Sequence, residues 1–339
     1  LVLVSSFTLG EVRLLTTKIT MSDLRVRLVQ PAISQKAKWT AGAFDELFSA
    51  YVDMSKAAPK NGRAPDVIIW PEGALPPSLD VLLSNESWTA PVMAGLLVDK
   101  QTLIMGTTRR VSDAKGHDIW HNSMVVLHQD GAQTRIEGAY DKFKLVPFGE
   151  FTPFASLTKP LGIEALTHFD DSFTAGPRTR AVTFDHLPRL LPLICYEGIF
   201  PGLDTTNYRA STDTLRPRWI VNISNDAWFG PTTGPLQHLN LASYRAIEEG
   251  LPMVRSTPTG ISAVIDPLGR VLTETRIGTG QRAYVDATVP NAVTLSPYAA
   301  GHCLFAIFCT IFCLILVAFD TCVLVIKKNR VRGEQVHLG

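Results

Sequence analysis

Residues 190–201 read Leu-Leu-Pro-Leu-Ile-Cys-Tyr-Glu-Gly-Ile-Phe-Pro, and this stretch predicts both a fold class and a site. The apolar run at 190–194 has the length and branching of a buried strand. The run stops at Cys195, and the polar pair Tyr196 and Glu197 follows directly. A cysteine between a rigid strand and a loop is held in place yet stays reachable. Such a position suits chemistry, although most free cysteines are small core residues.

The composition excludes several classes of function. The 339 residues can form one large domain or two ordinary ones. The net charge is +1, which gives no overall field that would attract nucleic acid. The chain has no CxxC or HExxH spacing and its eight histidines are scattered, so we expect neither a metal site nor a cofactor.

An uncharged apolar run covers residues 303–319, and its apolar character continues past Asp320 to Ile326. At about 1.5 Å per residue, this length crosses a bilayer core of about 30 Å. Four basic residues follow it, namely Lys327, Lys328, Arg330 and Arg332. The positive-inside rule then predicts a transmembrane helix over 298–327, a cytoplasmic tail over 328–339, and a body on the opposite side of the membrane.

The placement of the cysteines makes Cys195 unusual. Four of the five cysteines, at positions 303, 309, 313 and 322, lie in the apolar C-terminal stretch. Cys195 is therefore alone in the body of the chain, where it cannot form an internal disulfide. An unpaired thiol outside the cytoplasm is a liability unless it is used. We therefore predict that Cys195 is a nucleophile.

The N-terminal segment begins with Leu1 and an apolar piece that is too short to span a membrane and lacks the basic region of a signal peptide. We interpret residues 1–20 as the remnant of an N-terminal membrane region with its linker. Residues 21–290 are then the catalytic domain.

The body alternates between helical and strand patterns. Helical spacing is found at 39–54, 79–98 and 236–249. Strand patterns are found at 24–31, 66–70, 102–109, 122–128, 135–142, 190–194, 219–224, 253–257, 261–266, 271–275 and 282–286. Several strands end in polar residues, which predicts an α/β domain whose site lies along strand ends. Residues 151–181 are interpreted as a long functional loop.

Three of these strand ends carry Glu72, Lys142 and Cys195. A free thiol has a pKa of about 8.5, so it needs a neighbouring base or cation to react at neutral pH. A carboxylate in an apolar pocket can take the thiol proton and return it to a leaving group. An ammonium group can stabilise a thiolate and an oxyanion. Taken singly, the carboxylate and the lysine are more often a loop cap and a solvated strand end. Together the three residue types predict acyl transfer through a thioester.

Several stretches resemble a known family. Trp70-Pro-Glu72, Lys142 in its Tyr-Asp-Lys context and Cys195-Tyr-Glu197 resemble the Glu-Lys-Cys triad of the nitrilase (carbon-nitrogen hydrolase) superfamily. Closer still is the resemblance to its bacterial apolipoprotein N-acyltransferase branch, which rests on Leu-Val-Pro-Phe-Gly-Glu at 145–150, Ser-Asn-Asp-Ala-Trp-Phe-Gly at 224–230, Gln237-His238, Arg255-Ser-Thr and Thr259-Gly-Ile-Ser. The resemblance implies a four-layer αββα sandwich facing the periplasm, followed by the C-terminal transmembrane helix.

The resemblance also implies roles for individual residues. Glu72 is the expected base, Lys142 the oxyanion stabiliser and Cys195 the nucleophile that carries the acyl group. Lys144 is the competing lysine, and the choice of Lys142 rests on the spacing to Glu150.

Supporting positions follow from the same resemblance. Glu150 is expected to orient the lysine and to support the intermediate. Tyr196 and Glu197 flank the nucleophile, and the backbone N–H of Tyr196 is a candidate oxyanion donor. Trp39 is expected near the entrance for the acyl chain.

The implied activity is that of an enzyme of the bacterial inner membrane, multi-pass when full length. It moves a fatty acyl chain from a phospholipid to the N-terminal amine of a diacylglyceryl-cysteine lipoprotein. Family members carry membrane helices before the catalytic domain, so we expect this chain to lack most of that region. The Asn225 to Gly230 motif favours a lipid substrate, as do uncharged loops with five phenylalanines, Phe148, Phe151, Phe154, Phe169 and Phe173.

Two alternatives remain at this point. A membrane-tethered amidase of the nitrilase type would use the same triad and let water attack the thioester. A non-catalytic binding module would be expected to have lost a triad residue, and all three are present.

Overall fold

The structure is a computed structural model, and it describes residues 2–33, 42–60, 62–112, 115–153, 172–203, 215–296, 298 and 304–336. The chain divides into two compact units, Leu1–Thr294 and Leu295–Gly339. The candidate triad lies in the first unit.

The helices and strands follow each other in a mixed order. The strands are β1 (Met21–Gln30), β2 (Val67–Ile69), β3 (Thr102–Ser112), β4 (Asp118–Asp130), β5 (Gln133–Asp141), β6 (Val182–Phe184), β7 (Leu187–Ile194), β8 (Trp219–Ile223), β9 (Met253–Ser256), β10 (Ala263–Ile265) and β11 (Ala283–Pro290). The α-helices are α1 (Val2–Thr16), α2 (Ala43–Lys56), α3 (Leu79–Leu82), α4 (Thr89–Ala94), α5 (Gly234–Glu249) and α6 (Leu304–Val336).

The strands form two sheets. One has six strands in the order β11-β1-β2-β3-β4-β5, and the other has five in the order β10-β9-β8-β7-β6. Each sheet has three parallel strands at its centre, β1-β2-β3 and β7-β8-β9, with antiparallel strands outside them. Parallel strands are buried on both faces, which explains the continuous apolar runs of β2 and of residues 190–194 in β7.

The two sheets pack face to face, with helices on their outer faces. The core between the sheets includes Ile104 from the six-stranded sheet and Ile194 from the five-stranded sheet, both fully buried. On the outer face of the six-stranded sheet, α2 packs Tyr51 against Trp70, with ring centroids 4.6 Å apart. On the outer face of the five-stranded sheet, α5 contributes Ala242 to a third apolar cluster. The mixed α/β fold that the sequence predicts is confirmed.

Two local predictions are wrong. The helical stretch predicted over 79–98 with an interruption at Pro91 is instead interrupted before α4, and consists of the short helices α3 and α4, because the Ser-Asn-Glu-Ser segment between them forms turns. The predicted strand at 271–275 is a bridge at Val271 followed by the 3-10 turn Thr273–Thr275. There the Thr275 hydroxyl donates to the carbonyl of Leu272 at 2.8 Å, which closes the turn.

The C-terminal apolar run forms α6. Within the described part of the chain, however, no helix combines the length and the apolar character needed to cross a bilayer. The transmembrane helix predicted for 298–327 is therefore not supported by the structure.

Candidate active site

The three predicted site residues each follow directly on, or close behind, a strand. Glu72 comes three residues after the end of β2, Lys142 directly after β5, and Cys195 directly after β7. The first two strands belong to the six-stranded sheet and the third to the five-stranded sheet. All three residues line one cavity of about 710 Å³. Residues from distant parts of the sequence therefore line the same cavity.

Lys142 joins the two predicted carboxylates. Its side chain is 1% exposed, and its Nζ donates to Glu72 Oε1 at 3.1 Å and to Glu150 Oε1 at 3.0 Å. Burial alone would lower the pKa of Lys142, but the Glu72 and Glu150 carboxylates outweigh it and hold that pKa above its usual value. Lys142 is therefore a fixed ammonium group at neutral pH.

Asn122 on β4 is a member of this cluster that the sequence analysis did not single out. Its Nδ2 donates to Glu72 Oε1 at 2.8 Å and to Glu150 Oε1 at 2.6 Å, so it spans both carboxylates. The other oxygens are held by backbone, since Glu72 Oε2 accepts from Asn225 N–H at 2.7 Å and Glu150 Oε2 from Val146 N–H at 2.8 Å. The sequence signal that could have identified Asn122 is its position shortly before the apolar run of the strand predicted at 122–128.

The turn that carries Glu72 lies against β3 at a glycine. A Cβ atom at Gly106 would stand 2.5 Å from Glu72 Cα and 2.5 Å from the Pro71 carbonyl oxygen. The Ala74 N–H donates to the Gly106 carbonyl at 3.0 Å, so this close approach is hydrogen-bonded. The absence of a side chain at this position permits the placement of Glu72.

Cys195 has a backbone conformation that is rare outside glycine. Its φ is +49°, in the left-handed region, and its side chain is partly exposed to the cavity. Burial and the nearby carboxylate of Glu72 raise the pKa of the Cys195 thiol to about 12, although the Lys142 ammonium opposes this rise. The thiol is therefore protonated in the resting state, and a base is needed to activate it.

A second polar network lies next to the backbone of Cys195. His238 on α5 contacts the Cys195 carbonyl oxygen through Nε2 at 3.3 Å and Asp226 Oδ1 through Nδ1 at 2.8 Å. Arg255 on β9 donates to both Asp226 oxygens, at 2.9 and 2.8 Å. Burial opposes ionisation of Asp226, but Arg255 and His238 overcome it and lower its pKa to about 2. Asp226, His238 and Arg255 belong to sequence motifs that by themselves do not predict this network.

Glu197 is a fully buried connector that does not line the cavity. Its Oε2 accepts from the Ile194 N–H at 2.8 Å, and its Oε1 accepts from the N–H groups of Phe143 and Lys144 at 2.8 and 3.1 Å. The Tyr140 hydroxyl donates to the same Oε1 at 2.7 Å. Glu197 thus connects the end of β7, before Cys195, to the segment that follows Lys142 in the other sheet.

The remaining predicted positions have different surroundings. Tyr196 lines the cavity, with its ring 4.8 Å from that of Phe200. The Lys144 ammonium lies over the rings of Phe143 and Phe200, at 5.2 and 5.7 Å from their centroids. Lys142, and not Lys144, therefore lies between the carboxylates. Trp39 falls outside the described residues.

The cavity wall is largely apolar around this polar centre. The apolar and aromatic residues that line it include Leu75, Val146, Phe148, Phe173, Trp228 and Phe229. Phe148, Trp228 and Phe229 are also 49%, 57% and 41% exposed, so they lie both at the wall and at the surface. Of the five phenylalanines that the sequence associated with a lipid substrate, Phe148 and Phe173 line the cavity, whereas Phe154 and Phe169 lie outside the described residues.

The chain is similar to known proteins over most of its length. A profile of the carbon-nitrogen hydrolase family matches residues 25–295. The chain is 42% identical over 275 residues to an apolipoprotein N-acyltransferase of Caulobacter vibrioides, covering 80% of this chain and 50% of that protein. It is 41% identical over 297 residues to one of Bradyrhizobium diazoefficiens, covering 86% of this chain and 52% of that protein. The chain thus spans about half the length of these curated relatives. An amidase from Nesterenkonia sp. has a TM-score of 0.48 and 16% sequence identity, covering 80% of this chain and 92% of that one.

Proposed function

The chain belongs to the carbon-nitrogen hydrolase family, and on that basis we propose that it is the catalytic part of an apolipoprotein N-acyltransferase. In this proposal a fatty acyl chain passes from a phospholipid to Cys195 and then to the N-terminal amine of a diacylglyceryl-cysteine lipoprotein. The relatives that carry this name include two that are 41% and 42% identical to the chain. Their name supports transfer of an acyl group to a nitrogen atom of an apolipoprotein.

One observation carries the proposal. A partly exposed cysteine, a buried ammonium and two carboxylates border a single cavity of about 710 Å³ whose walls are mainly apolar. The polar centre suits acyl transfer through a thioester, and the apolar walls suit a hydrocarbon chain.

In the first half of the reaction, Glu72 removes the proton from the Cys195 thiol as sulfur attacks the ester carbonyl carbon of the phospholipid. A C–S bond forms, and the carbonyl oxygen becomes an oxyanion that Lys142 and the backbone N–H of Tyr196 stabilise. The ester C–O bond then breaks. Glu72 returns its proton to the departing oxygen, which leaves as the hydroxyl of a lysophospholipid.

In the second half, the lipoprotein amine attacks the thioester carbonyl and loses a proton to Glu72. The C–S bond breaks, an amide forms, and the proton returns to sulfur. Glu150, whose Oε1 accepts from Lys142 Nζ at 3.0 Å, keeps the ammonium in position through both halves. Asn122 donates to the same Glu150 oxygen at 2.6 Å and holds that carboxylate in place. His238 acts as a positioning residue for the Cys195 backbone.

We also propose that the protein is attached to the bacterial inner membrane with its catalytic domain in the periplasm. The support comes from the sequence, in which residues 303–319 carry no charge and four basic residues follow at 327–332. Attachment would place the enzyme beside two lipid-anchored substrates and raise their effective concentration. Carbonate extraction of native membranes tests this part, since release of the protein would contradict it.

The activity is tested with phosphatidylethanolamine carrying a radiolabelled acyl chain. We expect the purified protein to acquire label that hydroxylamine removes, as a thioester requires, and we expect none in Cys195→Ser. Adding a diacylated lipopeptide should transfer the label to its amine. Label that appears only as free fatty acid, with the lipopeptide present, would instead support the amidase-type reaction in which water attacks the thioester.

A further inference from the structure

We propose that His128, Glu137 and His186 form a binding site for a divalent transition-metal ion of the zinc class. Within the part of the chain that the structure describes, one ligand atom from each of these residues lies within 4.8 Å of the other two. Two imidazoles and one carboxylate form a ligand set that zinc, cobalt(II) and nickel(II) bind. None of the three residues lines the candidate active-site cavity.

His128 is oriented as a metal-binding histidine is. It lies on β4 and is 3% exposed, directly opposite Thr102 on β3. Its Nδ1 is 2.9 Å from the Thr102 hydroxyl oxygen. When Nδ1–H donates to that hydroxyl, Nε2 keeps its lone pair for a metal, and such outer hydrogen bonds fix the ring of histidine ligands.

Glu137 has one oxygen in need of a partner. Its Oε1 lies 3.6 Å from His186 Nε2. Its Oε2 is buried and has no hydrogen-bond partner among the described residues, and the side chain as a whole is 14% exposed. A buried carboxylate oxygen without a donor is unfavourable, and a bound cation would satisfy it.

His186 is the adjustable ligand. Its ring stacks on that of His128, with centroids 3.9 Å apart and planes at 12°. Zinc ligands at about 2.0–2.2 Å from the metal lie about 3.4 Å apart, so binding requires the His186 ring to rotate toward the other two. The His186 side chain is 52% exposed and can make this movement. Water would complete the coordination.

The site would connect the two sheets far from the nucleophile. His128 and Glu137 belong to the β4–β5 hairpin of the six-stranded sheet, whereas His186 lies in the turn between β6 and β7 of the five-stranded sheet. Because β7 separates His186 from Cys195, the two residues are about 25–30 Å apart along an extended strand. A metal here would crosslink the two sheets and would leave the acyl-transfer chemistry unchanged.

The test is a calorimetric titration of the purified full chain with zinc chloride. All variants carry Cys195→Ser, so that the candidate nucleophile thiol does not bind zinc. His186→Asn and Glu137→Gln are the test variants. His117→Asn, an exposed histidine between β3 and β4, is the matched control.

We expect one fewer zinc equivalent in each test variant, or at least about tenfold weaker binding of that equivalent, with no change in the control. Zinc should also raise the melting temperature of the control and not of the test variants. Equal zinc stoichiometry and affinity in the control and both test variants would overturn the proposal. Melting curves without zinc establish that each variant is folded. If one of the two test variants does not fold, the other still tests the proposal.

Discussion

Two buried cations, Arg27 and Lys142, bind carboxylates in different ways. Both side chains are 1% exposed. Arg27 on β1 donates to both oxygens of Asp286 on the paired strand β11, at 2.7 and 2.8 Å. Its remaining Nη1 group lies within 3.0 Å of three carbonyl oxygens at the end of α2, those of Met54, Ser55 and Ala57. The guanidinium is thus balanced in charge and surrounded by acceptors.

Lys142, in contrast, is neither balanced in charge nor surrounded by acceptors. One ammonium contacts two carboxylates, Glu72 and Glu150, and the group borders a cavity. An ammonium has three donors, and the described hydrogen bonds to these carboxylates use two. We infer that the saturated Arg27 pair serves the fold, whereas the unsaturated Lys142 cluster beside the cavity can bind charge that develops in a reaction.

The largest effect is expected from Glu72→Gln, which keeps the shape of the side chain and removes its charge. Thioester formation should fall about 10³-fold because the thiol loses its base. Glu72 is also one cause of the raised pKa of Cys195, so the pKa should fall below about 12 and the thiolate fraction should rise. Alkylation of Cys195 by iodoacetamide at pH 9, measured by peptide mass spectrometry, should therefore become faster. If Glu72→Gln forms the thioester at the parent rate, Glu72 is not acting as the base.

Lys142→Met should reduce thioester formation by about 10²–10³-fold, since the oxyanion loses its cation. The measurement is the labelled-phospholipid assay at a temperature at which circular dichroism shows a folded protein. A folded Lys142→Met protein that forms the thioester at the normal rate would show that the cluster has only a structural role.

Arg27→Met is the matched substitution in the saturated pair. It leaves Asp286 buried without its partner and should lower the free energy of unfolding by about 3–5 kcal/mol. The folded fraction should still form the thioester. Urea unfolding measures the stability, and the labelled-phospholipid assay at low temperature measures thioester formation. If Arg27→Met loses activity without losing stability, the two buried pairs do not differ in role as proposed.

His238→Ala should give a smaller loss, of up to about 10²-fold in thioester formation, because the Cys195 carbonyl and Asp226 each lose a contact. A positioning role predicts a lower rate of acylation with no change in the pH at which Cys195 alkylates. A shifted alkylation profile would instead indicate that His238 acts on the thiol proton.

Lys144→Ala should have the smallest effect, with a rate within about twofold of the parent, because its ammonium lies over aromatic rings and not between carboxylates. The same labelled-phospholipid assay checks it. Loss of activity in this variant, with Lys142→Met active, would reverse the assignment of the two lysines.

The pattern of the chain predicted much of this arrangement. The run before Cys195 is indeed a strand ending at Ile194, and the strand before Lys142 ends at Asp141, because alternating or continuous apolar residues have few other ways to be buried. The pattern did not predict Asn122, whose importance depends on a neighbouring turn 50 residues away in sequence. Nor did it predict Glu197 as a connector, since its partners include the backbone of Phe143.

By itself, the sequence determined most of the strand segments and which chemical groups stand at their ends, because these depend on local periodicity and on residue type. It missed the short strand β6 and predicted a strand where Thr273–Thr275 forms a 3-10 turn. The tertiary structure decided which of those groups meet. Strand order and register place the Lys142 ammonium between two carboxylates and bring both sheets to one cavity. They also stack His128 on His186. No local sequence pattern encodes strand order or register.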